Sequence, residues 1–339
     1  MKRILFLILV VGGTFGEGSH ATPQDNMEIQ LKQLDDAFEG HIGLALEDLH
    51  EDRKFHYDGE RFWYLSSTIK VPVAIVLLKE VEKGSLGLEQ KVTLKETDVV
   101  DGAGDLQFQQ PGKTFSASDL LKRMIVDSDS TATDMLIRLV GEEKLNKSVQ
   151  ELTPGFGKIT TILQVRYDAY AELHPHAQHL QNMDFIEIKK KKPEHRTQFF
   201  AKKVNVPLTD LKYPDLEQAF EAYYKKNFNS GSLTDFSHLL KRLGNNELLN
   251  KKHTDLLLKY MSNITTGNRR IKTGLGDNYE LAQKTGTQIR RMCNMGIIRN
   301  KENKKEIAIS ICVEKFQDPV AAERLFKSVA EILRTHLWF

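Results

Sequence analysis

The segment Ser67-Thr68-Ile69-Lys70 puts a hydroxyl and an amine three residues apart. That spacing places both on one face of a helical turn. The apolar run Val71, Val73, Ala74, Ile75, Val76, Leu77 and Leu78 follows at once. It is apolar nearly all round, as in a helix buried in the middle of a domain. Pro72 has no N–H, so the pair belongs to the opening turn of that helix. A lysine deprived of water loses pKa and can take a proton from a neighbouring hydroxyl. The chemistry implied is nucleophilic attack by a serine. A lone Ser-x-x-Lys is nevertheless ordinary in a chain of 339 residues.

Two further clusters lie downstream. Asp127-Ser128-Asp129-Ser130 falls between two helical patterns. Its hydroxyls and carboxylates suit a helix cap, and that alone explains the local sequence. The functional alternative is a proton relay at Ser128 on a turn braced by Asp129. Gln283-Lys284-Thr285-Gly286-Thr287 ends an apolar run. Lysine and threonine there can hold a carboxylate, and the glycine allows close backbone approach.

Several elements must position these residues. A helix is expected over 26–38, then a hairpin from 41–46 and 54–57. The Ser67 helix should run to about Gly84, followed by a Gly-rich loop over 99–111. Ser116-Ala117-Ser118-Asp119 caps a helix to Ile125, and a second helix spans 130–140 before Gly141. Residues 166–173 read as the opening of a loop. Residues 184–188 alternate like a strand, and 197–206 is its expected partner across Lys189-Lys190-Lys191-Lys192-Pro193, making an inserted hairpin. That lysine run reads as a solvated turn, with an anionic envelope surface the alternative. Helices are expected over 214–226, 234–243 and 253–261. Strands return at 279–287, 291–299 and 306–313, and a helix closes the chain from Pro319.

The remaining features set bounds. Forty-eight basic against 46 acidic residues leave a net charge of +2, which offers no nucleic-acid footprint. Lys2 and Arg3, the apolar stretch 4–11 and Ser19-His20-Ala21 read as a secretory signal ending at Ala21. The stretch is too short to span a bilayer, so no stable membrane insertion is expected. A periplasmic or secreted protein follows. His174, His176 and His179 fit no common zinc spacing, and no metal or organic cofactor is implied. Cys293 and Cys312 would lie nearly opposite each other on a hairpin turning at 300–305. Export would permit oxidation, but a bridge between paired strands is often strained, so two buried thiols are expected.

The order Ser67-x-x-Lys70, Ser128-Asp129-Ser130, Lys284-Thr285-Gly286 resembles that of the class A β-lactamases, within the penicillin-recognising serine enzymes. Residues 66–78, 124–137, 266–275, 284–287 and 294–298 are each similar to family segments, and the likeness covers nearly all of the mature chain.

The resemblance implies an α+β, β-lactamase/transpeptidase-like fold, in which residues 22–65 and 276–339 form an antiparallel sheet flanked by helices. Residues 66–275 would form a helical part with an insertion near 174–213, and the site would sit at the junction. Ser67 would attack the lactam carbonyl, with Lys70 as its proton partner. Ser128 would protonate the departing nitrogen. Lys284 and Thr285 would hold the substrate carboxylate, with Arg270 or Arg290. The N–H groups of Ser67 and Thr287, next to Gly286, would form the oxyanion hole.

Two departures stand out. Ser130 replaces the asparagine that binds the substrate amide. The family's deacylating glutamate, in a Glu-x-x-Leu-Asn motif, has only Glu172 as a nearby counterpart within Ala169-Tyr170-Ala171-Glu172-Leu173-His174; a second register puts Ala171 near that position. The implied function is β-lactam hydrolysis by a monomer. The alternatives are a serine hydrolase of cell-wall peptides, other amides or esters, and a deacylation-poor penicillin-binding protein.

Overall fold

The computed structural model describes residues 23–336. The export signal read at residues 1–21 lies outside them. Helix α1 (Pro23–Ala37) leads into β1 (His41–Asp48) and β2 (Lys54–Tyr57), and a short β3 (Phe62–Tyr64) follows. A 3₁₀ turn, Ser66–Ile69, then feeds α2 (Lys70–Glu82). Beyond a small ribbon of β4 (Lys91–Thr93) and β5 (Thr114–Ser116) come α3 (Ala117–Val126), α4 (Ser130–Val140) and α5 (Glu142–Leu152). Next are α6 (Ile162–Ala171), α7 (Asn182–Lys189), α8 (Pro193–Lys203) and α9 (Leu216–Tyr224). A short β6 (Ser230–Ser232) precedes α10 (Leu233–Gly244), α11 (Lys251–Ser262) and α12 (Ile271–Leu275). The chain closes with β7 (Tyr279–Gln288), β8 (Arg291–Asn300), β9 (Glu306–Glu314) and α13 (Pro319–Thr335).

The main sheet is antiparallel in the order β2-β1-β9-β8-β7. One face packs on α1 and α13 through Leu31, Ile311, Phe326 and Val329. The other face meets α10 and the helical core around α2. Val71 and Val73 to Leu78 are all fully buried, which explains a helix with no polar stripe. Each buried valine, isoleucine or leucine among them contributes roughly 1.5–3 kcal/mol of burial. β3 pairs with β6 through Trp63 and Gly231, which ties the segment before Ser67 to the helical part. Among the described residues, no helix is long and apolar enough to cross a membrane.

Three expectations are corrected. The loop read at 166–173 is mostly helix α6, capped by Thr161, whose hydroxyl accepts the Gln164 N–H at 3.1 Å. The hairpin read from 184–188 and 197–206 is the helix pair α7 and α8. Five alternating residues are too few to separate the two periods: Phe185 and Ile188 also share one helical face. The Asp184 carboxylate accepts the Gln181 N–H at 2.7 Å, and Pro193 opens α8. Cys293 and Cys312 are joined in a disulfide rather than left as thiols. They are direct partners across β8 and β9 with Cα atoms 4.1 Å apart, close enough for a bond without strand movement.

Candidate active site

Ser67 lies in the 3₁₀ turn between β3 and α2, and Lys70 is the first residue of α2. The turn is entered through Ser66 at φ +51°, a costly conformation for a side-chain-bearing residue. Thr68 steadies it by donating its hydroxyl to Leu65 O at 2.7 Å. Lys70 is fully buried. Its Nζ donates to Ser128 O at 2.5 Å and to Ser128 Oγ at 3.2 Å. Burial pushes the ammonium down to about 8, against the attraction of Asp129 and Asp134 and with further lowering by Arg166. At pH 7 roughly a tenth of the lysine is then free amine.

The Ser128 turn is held by its neighbour. Asp129 accepts the N–H groups of Ala132 at 2.8 Å and Leu106 at 3.0 Å, which caps α4 and anchors the preceding loop. Ser128 itself has φ +59°, so its hydroxyl is presented from a strained position. One helical turn beyond Ser130, Asp134 accepts the N–H groups of Ile162 at 2.6 Å and Leu163 at 2.9 Å. This buried carboxylate positions the start of α6. Burial raises it to about 7, against the N–H bonds and the Lys70 charge.

Strand β7 forms the opposite wall. A Cβ placed on Gly286 would lie 2.8 Å from Leu65 O and 3.0 Å from Ser67 N, so only glycine lets the strand touch the nucleophile turn. Lys284 is fully buried and donates to Thr285 O at 3.0 Å. Burial first, then repulsion from Lys70 and Arg270, pushes its pKa well down. Thr285 Oγ1 meets Thr266 Oγ1 at 2.5 Å. Arg270 donates to Gly286 O and Cys293 O, each at 3.2 Å, and to Thr287 Oγ1 at 2.7 Å. Burial lowers its pKa to about 10.

A cavity of about 240 Å³ opens between these walls. Ser67, Ser128, Ser130, Thr285, Thr287 and Arg270 all line it. Lys70 and Lys284 are buried next to it through Ser128 and Thr285. Two expected site residues are elsewhere. Arg290 binds Phe316 O, Lys315 O and Glu217 and does not line the cavity. Glu172 is held by Lys226 at 2.7 Å and Lys212 at 3.1 Å, which lower its pKa, and it also stays outside. The local order of glutamate before leucine misleads because Glu172 caps the end of α6, whereas the start of that helix faces the cavity.

The cavity wall from α6 consists of Ile162, Val165 and Arg166, and none of the lining residues carries a carboxylate. A Glu-x-x-Leu-Asn spacing laid on this wall falls on Ile162-Leu163-Gln164-Val165-Arg166, with isoleucine first and arginine last. Sequence reasoning missed Arg166, Asp134 and Asn229 as site residues. The Thr161-x-x-Gln164 cap was the available signal for α6, and the i, i+4 spacing from Ser130 was the signal for Asp134. Asn229 carries no local signal; it lines the cavity directly from the segment before β6 and is fixed there by its bonds with Thr160.

Comparison with known proteins bears on the family and the fold. A model of the "Beta-lactamase enzyme family" matches residues 26–337. The β-lactamase VEB-1 of Pseudomonas aeruginosa is 25% identical over 291 residues, 85% of this chain and 79% of that protein. The β-lactamase SME-1 of Serratia marcescens is 25% identical over 153 residues, 44% of this chain and 52% of that protein. Among solved structures, the TLA-1 extended-spectrum β-lactamase superposes with a TM-score of 0.71 at 19% identity, covering 93% of this chain and 99% of that one. PBP-A superposes with a TM-score of 0.67 at 23% identity, covering 91% and 95%. The fold is β-lactamase/transpeptidase-like.

Proposed function

Because the chain belongs to the β-lactamase enzyme family, we propose that it is a class A-like serine enzyme that opens β-lactam rings through an ester on Ser67 and then hydrolyses that ester. Lys70 in its amine form takes the Ser67 proton as Oγ attacks the lactam carbonyl. The C–N bond breaks, and a proton passes from Lys70 through Ser128 Oγ to the departing nitrogen. Thr285, Lys284 and Arg270 hold the substrate carboxylate from the β7 side. The N–H groups of Ser67 and Thr287 face the carbonyl oxygen, an interaction typically worth about 3–4 kcal/mol in the transition state. Water then attacks the ester and frees Ser67.

The observation that carries this reading is the buried Lys70 ammonium bonded to Ser128 beside the Ser67 turn, with Gly286 pressing β7 against that turn. The test is intact-protein mass and chromogenic cephalosporin turnover. The expected result is one equivalent of acyl adduct, mapped to Ser67, followed by turnover. Ser67→Ala should abolish both while shifting the thermal midpoint by no more than ~2 °C, as for a side chain outside the packed core. Adduct formation by that variant would overturn the assignment.

The carboxylate-free α6 wall favours a second reading of the slow step. On this reading the groups proposed for acylation gather at the cavity, whereas no carboxylate lines it to serve deacylation, so the ester should be long-lived. A burst of one equivalent before slow steady turnover is expected. We also place the protein outside the cytoplasm. The basic and apolar start of the chain and the Cys293–Cys312 bond support that reading.

A further inference from the structure

The cavity that holds Ser67 adjoins a second, smaller space of about 80 Å³, and Arg166, Lys189 and Gln288 line both. Arg196 lines the smaller one, with Asp101. The three cations come from α6, α7 and α8, so two of them belong to the inserted helix pair. Asp101 is the carboxylate among them. It accepts Arg166 Nε at 2.6 Å and lies 3.6 Å from Lys189 Nζ. Arg196 is spent on the carbonyl oxygens of Lys191 at 3.0 Å and Lys189 at 3.1 Å, which fixes its guanidinium without neutralising it. One carboxylate thus faces three cations.

Arg166 supplies the second observation. The residue is only 8% exposed, and its Nη1 is buried with no hydrogen-bond partner. A buried guanidinium with an unused donor forfeits free energy unless a ligand or a water completes it.

The strand sets the direction in which a ligand would reach this corner. Thr285, Thr287 and Gln288 follow one another along β7. At ~3.3 Å per residue, Gln288 lies about 10 Å beyond Thr285. A substrate with its carboxylate at Thr285 and its reacting carbonyl at Thr287 therefore carries its remaining substituent towards Gln288, Arg166 and Lys189. We propose that Arg166, Lys189 and Arg196 form an anion subsite that selects β-lactams bearing a second carboxylate on the acylamino side chain. This rests on the acyl-enzyme reading above and gives the inserted helices a role in substrate choice.

The test is a matched pair, α-carboxybenzylpenicillin and benzylpenicillin, compared by their second-order constants for acylating the full-length protein. The expected ratio favours the carboxylated compound by about tenfold, as for one partly solvated charge-assisted contact. The Lys189→Gln/Arg196→Gln double variant should bring the ratio close to one. Raising NaCl to ~0.5 M should lower the wild-type ratio, because the Debye length shrinks to a few ångströms. The control Lys251→Gln/Lys252→Gln removes the same net charge from the exposed start of α11 and should keep the wild-type ratio. A wild-type ratio of one, or a ratio unchanged in the first double variant, overturns the subsite alone. If neither penicillin acylates Ser67, the functional reading falls and the subsite falls with it.

Discussion

Replacing Ile162 by glutamate should convert a long-lived acyl-enzyme into a short-lived one. Ile162 opens α6, lines the cavity with Ser67, and has its N–H held by Asp134. A carboxylate there meets opposing fields. The helix N-terminus favours it by roughly 0.3–1 kcal/mol. Asp134 disfavours it: at an effective dielectric of ~20 and a separation of ~6 Å, two full charges repel by about 3 kcal/mol. That is about two pKa units, which would move a glutamate from ~4.3 to ~6.3. Because Asp134 is itself pushed up to about 7 and is half protonated near neutrality, the repulsion is an upper bound, while partial burial at Ile162 adds a rise of its own. At pH 7.5 most of the new glutamate is then ionised and able to act as a base. General base catalysis typically supplies about 10²–10⁴-fold. The half-life of the benzylpenicillin adduct, followed by intact mass, should fall by at least ~100-fold on that scale. The acylation constant should change far less, because Lys70 and Ser128 are untouched. An adduct of unchanged lifetime in a folded variant would refute the argument, as would a wild type that deacylates as fast as the variant.

Other outcomes follow from the same geometry. Glu172→Gln should leave adduct lifetime unchanged, since its carboxylate is engaged by Lys212 and Lys226 outside the cavity; trapping of the adduct would restore it as the base. The acylation constant should rise with pH and level off above about 8, because the reactive form of Lys70 is the amine and burial lowers its pKa to that value. Below that midpoint each pH unit should cost about tenfold. A flat profile from pH 6 to 9, measured by stopped-flow with a chromogenic cephalosporin, would remove Lys70 as the proton acceptor.

The sheet, the Ser67 helix and the Ser128 turn were legible because each has a strong local signature. Three terminal strands are apolar or alternating runs with turn residues at both ends, and the apolar run after Lys70 admits little but a buried helix. Their juxtaposition was not local. It came from the likeness of the three motifs to a family. The 160–213 region was harder for a physical reason: short amphipathic helices such as α7 present too few turns for their period to stand out from alternation. The α6 wall was misplaced by its end. A glutamate before a leucine occupied the eye, whereas a helix directs i and i+4 residues at its start, Ile162 and Arg166, into the cavity. The cysteines were read in the correct register, and the bond was then set aside because bridges between paired strands are often strained, yet the two are joined.

At Gly286 the strand brings no side chain of its own: the main chain of β7 rests on Leu65 O, Ser66 Cβ and Ser67 N of the nucleophile turn. On the proposed mechanism, the spacing of the Ser67 turn from β7 is therefore set mainly by main-chain contacts and by the absence of a Cβ at position 286. Under the subsite proposed above, changes in what this protein accepts would come from the far rim, where three short helices meet the end of the strand.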